Sequence, residues 1–429
     1  MRVCIIGCGP AGMECAMTIK KLKPKTEVIV FGKEKNIAVK CSLPYAISGE
    51  TKLEKCVKPD EMLTKRKINI IREEVTEVDT KLKKIRIKKN EYKYDKLVFA
   101  TGARPFVPSI EGVDSKNVFT LRDYSDAKKI LKFLKNAKYV GLIGGGLISV
   151  ELGALLSKKH KVTIFEILPN LLYSTYDQEI CKEIEKVMEK NKVKLELRAK
   201  VESIIGDGNI SYIKCKNKKI RADAIILATG VRPEVELAKN SGIKCGKFGI
   251  ITDKKMQTNI KDVYAIGDCA QSFSLITKKP VPSGLVISAV REAKIAAKNI
   301  CGIETNFEGL LNPSAAKIFN YCIGRVGLTE REAIENNIKV KILKSELTTK
   351  YDTQKKFGKI KTKLIFDSKD RLLGAQFISS ENIADLISFA SFAIYKKIKR
   401  EELAKLSYPA HPELTSLPFF NPIVSACEK

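Results

Sequence analysis

The chain has 429 residues, with 78 Lys and Arg against 49 Asp and Glu, a formal net charge of +29, twelve cysteines and two histidines. That length suits three domains rather than one. No run of about twenty apolar residues occurs, which excludes a membrane-spanning helix, and the first residues read directly as a strand rather than a leader, so a cytoplasmic protein is the expectation.

Arg2 to Ile6 is an apolar run that reads as a buried parallel strand. Gly7-Cys8-Gly9-Pro10-Ala11-Gly12 follows and opens a helix ending near Leu22. In such a turn Gly7 permits the tight bend, Gly9 lets the backbone approach a pyrophosphate, and Gly12 lets helix and strand pack closely, with phosphates seated on the helix N-terminus. A lone glycine pattern is a weak signal, but a strand before it and a second strand, Glu27 to Phe31, after it meet the context a dinucleotide site requires. The acid expected at the tip of that second strand, for ribose hydroxyls, is Gly32; Glu34 is the expected substitute.

About ten residues further on comes Lys40-Cys41-Ser42-Leu43-Pro44-Tyr45, and the position five residues past Cys41, where a dithiol enzyme would carry a second sulfur, is Ala46. A redox centre at Cys41 therefore works with one thiol. The strand pattern then repeats. Leu97 to Ala100 runs into Thr101 and Gly102; Tyr139 to Ile143 runs into Gly144-Gly145-Gly146-Leu147-Ile148-Ser149; and Val162 to Phe165 ends at Glu166. Glu166 can accept ribose hydrogen bonds and repels a 2′-phosphate, which favours NADH over NADPH. Ile225 to Ala228 runs into Thr229 and Gly230, echoing the earlier Ala-Thr-Gly-x-Arg-Pro, as expected of two related domains. Val263 to Ile266 stops at Gly267-Asp268, a carboxylate placed to bind a sugar hydroxyl or to cap a helix. Pro282 to Ile300, which contains Ala289, reads as a helix whose N-terminus offers amides and positive dipole to a flavin.

These motifs resemble, over essentially the whole chain, the FAD- and pyridine nucleotide-dependent disulfide oxidoreductase superfamily. The run from Cys41 to Glu50 resembles the active-site segment of coenzyme A-disulfide reductases and of the related NADH oxidases and NADH peroxidases. The resemblance implies an α/β fold with two Rossmann-like domains, one for FAD (1–112 and 242–309) and one for NAD(P) (113–241), followed by a C-terminal α+β dimerisation domain (310–429). It implies FAD held by Gly7, Gly9, Pro10, Ala11, Gly12, Glu34, Thr101, Gly102, Gly267, Asp268 and Ala289. It implies NADH, with NADPH less favoured, held by Gly144, Gly146, Glu166 and Gly230, and a redox cysteine at Cys41. No metal is implied.

Beyond residue 310 no phosphate turn remains. Lys317 to Tyr321, Val340 to Leu343, Lys359 to Phe366 and Leu372 to Ile378 read as strands, and Ile383 to Lys397 as an amphipathic helix. In the resembled family this domain forms a homodimer, and the segment Ser407 to Glu413 would reach the partner's flavin site. Tyr351 and Tyr408 match tyrosines placed near the cysteine, and His411, in an Ala-His-Pro setting, is a candidate acid/base beside Cys41. The orienting glutamate of dithiol reductases is absent, since Ser416 stands five residues on; His160 reads as an exposed turn residue.

The other cysteines are scattered through apolar segments and read as small core residues. The lysine runs at 81–89 and 214–219 lack interleaved aromatics and read as solvated faces, so no nucleic-acid or membrane partner is expected. Three activities fit these residues. The first is reduction of coenzyme A disulfide or a related small disulfide or polysulfide. The second is an NADH oxidase or peroxidase acting on oxygen or peroxide. The third is electron transfer to a protein partner without thiol chemistry.

Overall fold

Five short apolar segments pair in parallel, in the order Val263–Ala265, Lys96–Phe99, Arg2–Ile6, Glu27–Phe31 and Ile68–Ile71. A parallel sheet must be covered on both faces. On one face Val3, Ile5, Val28 and Val30 pack under two helices, Pro10–Leu22 and Val286–Ile300, whose contacting residues include Ala11, Cys15, Ile19, Ala289, Ala293 and Ala296. Their small side chains let the helices lie close to each other and to the sheet. On the other face Cys4, Ile6, Ile29 and Phe31 pack beneath Val78, Ile85 and Ile87 of a three-stranded meander.

The computed structural model describes residues 1–206 and 210–428. This sheet belongs to the first of two compact units, made of Met1–Phe106, Arg122–Lys128 and Val231–Leu310; the second comprises Val107–Leu121, Lys129–Gly230 and the chain from Leu311 onward.

The second unit holds another five-stranded parallel sheet, ordered Val118–Thr120, Ala224–Leu227, Tyr139–Ile143, Lys161–Phe165 and Lys194–Glu196. It also holds an antiparallel sheet ordered Ser314–Ile318, Tyr321–Gly327, Leu372–Ser379, Lys359–Asp367 and Val340–Thr348. The helix Ala384–Tyr395 lies on this sheet at Gly324, where any Cβ would run into Ile387. Within this unit Asp177, just before the Gln178–Lys190 helix, accepts from Gln376 and pairs with the buried Lys363 at 2.9 Å. Burial alone would raise the Asp177 carboxyl, but the bonds from Lys363, the Glu330 backbone and Gln376 hold it below its ordinary value.

Three sequence expectations change. Lys317 to Tyr321 is not one strand but the turn of a hairpin, because Phe319 takes φ +53 and reverses the chain between Ser314–Ile318 and Tyr321–Gly327. The helix expected from Pro282 begins at Val286, since Pro280–Pro282 pairs with Ala270–Phe273. His160 is half-buried, with Nδ1 2.9 Å from the Ala137 carbonyl.

Candidate functional site

In the first unit the Gly-rich turn is shaped by backbone collisions that side chains would cause. Gly7 takes φ +120, and a Cβ there would strike the Ala100 carbonyl; a Cβ at Gly12 would strike the carbonyl of Gly7. Gly9 is different. It is the N-cap of the Pro10–Leu22 helix, in extended conformation, and a Cβ there would meet nothing within 4 Å. The space over the helix N-terminus is therefore open, and first-turn amides with the positive end of the helix dipole border it.

Residues far apart in sequence converge on this turn. Gly267 takes φ +72 at the end of Val263–Ala265, and its Cβ position lies 2.9 Å from the Ala11 Cβ and 3.6 Å from the Ala289 Cβ. Asp268, one residue on, accepts from Arg122 Nη2 at 3.0 Å. The Thr101 hydroxyl donates to the Glu234 carbonyl at 2.6 Å, and the two Arg-Pro strands that follow the Ala-Thr-Gly echoes pair with each other, Arg104 opposite Arg232. Thus Ala11, Gly267 and Ala289 meet around one point, with Asp268 leading from it.

The missing acid at Gly32 has a steric reason. A Cβ at Gly32 would lie 2.7 Å from the Cys8 Cβ, and Arg72 Nη1 stands 3.6 Å from the same point. Arg72 pairs with Asp60 and donates to the Glu34 carbonyl at 2.9 Å. The Glu34 carboxylate, expected to replace the acid, pairs with Lys40 at 3.4 Å. Cys41 follows Lys40 in a single 3₁₀ turn, Lys40–Ser42, which leads into the Leu43–Ser48 helix. Of the twelve cysteines it is the exposed one: Cys8, Cys245 and Cys322 are partly buried and the other eight buried. Burial pushes the Cys4 and Cys181 thiols up to about 12 and raises Cys15, Cys56 and Cys269 as well, which suppresses thiolate formation.

The second unit repeats the geometry. Gly144 takes φ +106 against the Ala228 carbonyl, and Gly146 is an extended N-cap, for Leu147–Leu156, with open space where a Cβ would point. Glu166 is buried here, its carboxylate accepting from the backbone N–H of Gly145 and from that of Leu168 at 2.7 Å. Ser149, in place of a third glycine, is fully buried and its hydroxyl has no partner. Gly230 ends the second Ala-Thr-Gly echo at φ +98.

Tyr351, Tyr408 and His411 also belong to the second unit, where Tyr351 N–H donates to the Pro412 carbonyl at 3.2 Å, bringing the 351 loop to the tail segment. The Tyr408 hydroxyl donates to the Pro418 carbonyl at 3.1 Å, and His411 Nδ1 accepts from the Glu413 N–H at 3.2 Å. Four polar residues escaped the sequence reading. Arg72 and Arg122 gave no local signal. Glu292 is a lone acid three residues past Ala289, on the same helical face. Glu151, one turn into the second phosphate helix, is raised by burial to about 7.

Two dinucleotide-type turns on parallel sheets, with a single exposed thiol, define a nucleotide-dependent redox enzyme. The chain belongs to the pyridine nucleotide-disulphide oxidoreductase family: that family's model matches residues 1–293, and the model of its dimerisation domain matches residues 314–418. This family depends on FAD and NAD(P)H. The chain is 36% identical over 428 residues to an NADH oxidase of Methanocaldococcus jannaschii, covering 97% of this chain and 96% of that one. It is 34% identical over 391 residues to the NAD(P)H coenzyme A polysulfide/persulfide reductase of Pyrococcus horikoshii, covering 89% and 88%. A solved NAD-dependent persulfide reductase from A. fulgidus superposes with a TM-score of 0.95 at 27% identity, covering 100% of this chain and 82% of that one. The residues present fit FAD: the cradle at Gly9 is open, and Asp268 supplies a carboxylate acceptor from the adjoining turn. Among the described residues no helix is long and apolar enough to cross a membrane.

Proposed function

We propose that this chain reduces coenzyme A disulfide or a related low-molecular-weight disulfide or polysulfide, at the expense of NADH, with Cys41 as its one redox thiol. The observation that carries the reading is that Cys41 alone among twelve cysteines is exposed, in the unit that holds the open cradle at Gly9. FAD, when bound, supplies the two-electron link between the reduced pyridine nucleotide and a thiol centre. Gly9 and the amides behind it bind the pyrophosphate, while Thr101, Gly102, Asp268 and the helix carrying Ala289 border the rest of the cofactor. Gly144, Gly146 and Gly230 receive the pyridine nucleotide. Glu166 bonds its ribose and rejects a 2′-phosphate. A charge-assisted hydrogen bond of roughly 1.5–3 kcal/mol corresponds to about a 10- to 150-fold preference for NADH.

Cys41 thiolate attacks the substrate disulfide, forming a Cys41 mixed disulfide and releasing one thiolate, which takes up a proton. Two electrons and a proton then return Cys41 to thiolate and free the second thiol. The match of residues 314–418 to a dimerisation domain supports a homodimer. In it the tail carrying Tyr408 and His411, with Tyr351 beside it, serves the other subunit's Cys41 by protonating the leaving thiolate.

A second reading, oxidation of NADH by oxygen or peroxide, is favoured by the name of the M. jannaschii relative. There Cys41 cycles through a sulfenic acid, which two electrons and a proton reduce to thiolate and water. Mass spectrometry of Cys41 after anaerobic purification and mild oxidation, with coenzyme A disulfide and peroxide offered together, separates the two. A coenzyme A adduct is expected; sulfenic acid alone, with no turnover of the disulfide, overturns the first reading. Cys41→Ser is expected to lower disulfide turnover by at least about a thousandfold, and full retention of activity toward every acceptor would favour electron transfer to a protein partner without thiol chemistry.

A further inference from the structure

Behind the Gly267–Asp268 turn lies a carboxyl group that the proposed chemistry does not use. Glu292, on the Val286–Ile300 helix, is 0% exposed, and its Oε2 accepts from the Gly267 N–H at 2.8 Å. Its Oε1 and the hydroxyls of Ser272 and Ser283, which act on the carboxyl from the neighbouring strand and loop, are buried without a completed hydrogen bond. Among the described residues no cation is paired with it. The charged side chain that acts on it is Asp268, of like sign and already paired with Arg122. On the elements packed around it, Glu14 and Lys294 pair with each other at 3.8 Å, Arg291 lies over the Phe307 ring, and Cys269 is a thiol raised by burial.

Resting on the reading that Gly267 and Asp268 hold FAD, we infer that Glu292 is a positioning residue that holds this turn in its cofactor-binding form only while its own carboxyl carries a proton. A fully buried carboxylate with no cation is costly, and burial pushes this one up to about 7. Protonated, Glu292 keeps Oε2 as the acceptor for Gly267 and turns Oε1 into a donor for Ser272 or Ser283, whereas the bonds that Gly267, Ser283 and Ser272 offer to the ionised form are outweighed by burial. Ionised, it leaves an uncompensated charge in the core and adds a second negative charge behind Asp268. The turn has little slack, because Gly267 is wedged between Ala11 and Ala289. Neither histidine, His160 nor His411, belongs to this unit.

The experiment follows FAD release from the purified holoprotein by flavin fluorescence between about pH 6 and about pH 8. Wild-type affinity is expected to fall as pH rises through this range, with a slope approaching tenfold per pH unit at its upper end. Glu292→Gln, which keeps an acceptor for Gly267 and cannot ionise, is expected to hold FAD with a flat profile. Glu292→Leu, which removes the acceptor, is expected to hold FAD weakly at every pH. A wild-type profile that is itself flat, or a Gln variant with the wild-type slope, overturns the inference alone. A protein that holds no FAD at any pH overturns the underlying reading of Gly267 and Asp268 as well.

Discussion

At Gly7 and at Gly144 the chain makes the same move: a strand ends, a positive-φ glycine backs onto an Ala carbonyl, and an extended glycine N-cap opens a helix. The residue between the two glycines and the residue at the tip of the next strand differ, and they differ together. In the first turn Cys8 fills the space that a side chain at Gly32 would need, 2.7 Å away. In the second turn Gly145 leaves that space empty, and the Glu166 carboxylate fills it, bonding the Gly145 N–H; a Cβ at Gly145 would lie 2.6 Å from Glu166 Oε2. One volume is filled from either side but not from both. The loss of the acid at Gly32 is therefore the counterpart of a side chain at position 8.

The largest effect is expected where the two turns agree. Gly9→Ala and Gly146→Ala each place a methyl group in open space, so in the protein stripped of FAD and NADH neither should move the thermal midpoint of its unit by more than about 1 °C. Each methyl stands where the pyrophosphate must approach the backbone. Gly9→Ala should weaken FAD binding by roughly a hundredfold or more, and Gly146→Ala should raise the KM for NADH by a similar factor with FAD retained. A Gly9→Ala protein that keeps its flavin at wild-type affinity would break the equivalence of the two turns.

A smaller effect sharpens the difference between them. Gly32→Glu alone collides with Cys8 and is expected to destabilise the first unit and weaken FAD. Cys8→Gly with Gly32→Glu rebuilds the second turn's arrangement in the first unit. The pair should be coupled by on the order of 1–3 kcal/mol, the double variant being better than the sum of its parts, since the two side chains contest one volume. Additive losses in denaturant unfolding would show that the space is not shared.

Much of this was legible along the chain, for identifiable reasons. Buried parallel strands are continuous apolar runs, so Val3 to Ile6, Val140 to Ile143 and Ile225 to Leu227 announce themselves, and glycines at fixed spacing mark the turns between them. The start of the Val286–Ile300 helix was not legible, because Pro282 is equally at home at a helix N-terminus and on the edge strand it joins opposite Gln271. The hairpin at Phe319 was hidden because a bulky residue takes the left-handed conformation there, with no Gly or Asn at that position to signal it. Long-range pairs were invisible altogether: Arg122 and Asp268 are 146 residues apart, and nothing near either names the other. Glu292 lay between these cases, since its spacing from Ala289 and Ala296 puts an acid on an otherwise apolar helical face, a signal readable only once that face is known to be buried.

The smallest expected effect concerns the third position of the turns. Gly12 must be glycine because the carbonyl of Gly7 occupies the place of its Cβ, whereas Ser149 carries a Cβ at the matching point of the second turn. The second helix therefore tolerates an ordinary side chain where the first does not, and the Ser149 hydroxyl, fully buried without a partner, gains nothing there. Ser149→Ala removes that unpaired group and improves helix propensity, so it should stabilise the second unit by about 0.5–1 kcal/mol. The readout is a rise in the denaturant midpoint at constant m-value, while the same residue at the first turn, Gly12→Ala, should cost far more and release FAD. A Ser149→Ala protein that is less stable than wild type would mean that the hydroxyl is bonded in solution, and the two turns would then differ in their third position by a polar contact rather than by the space between helix and strand.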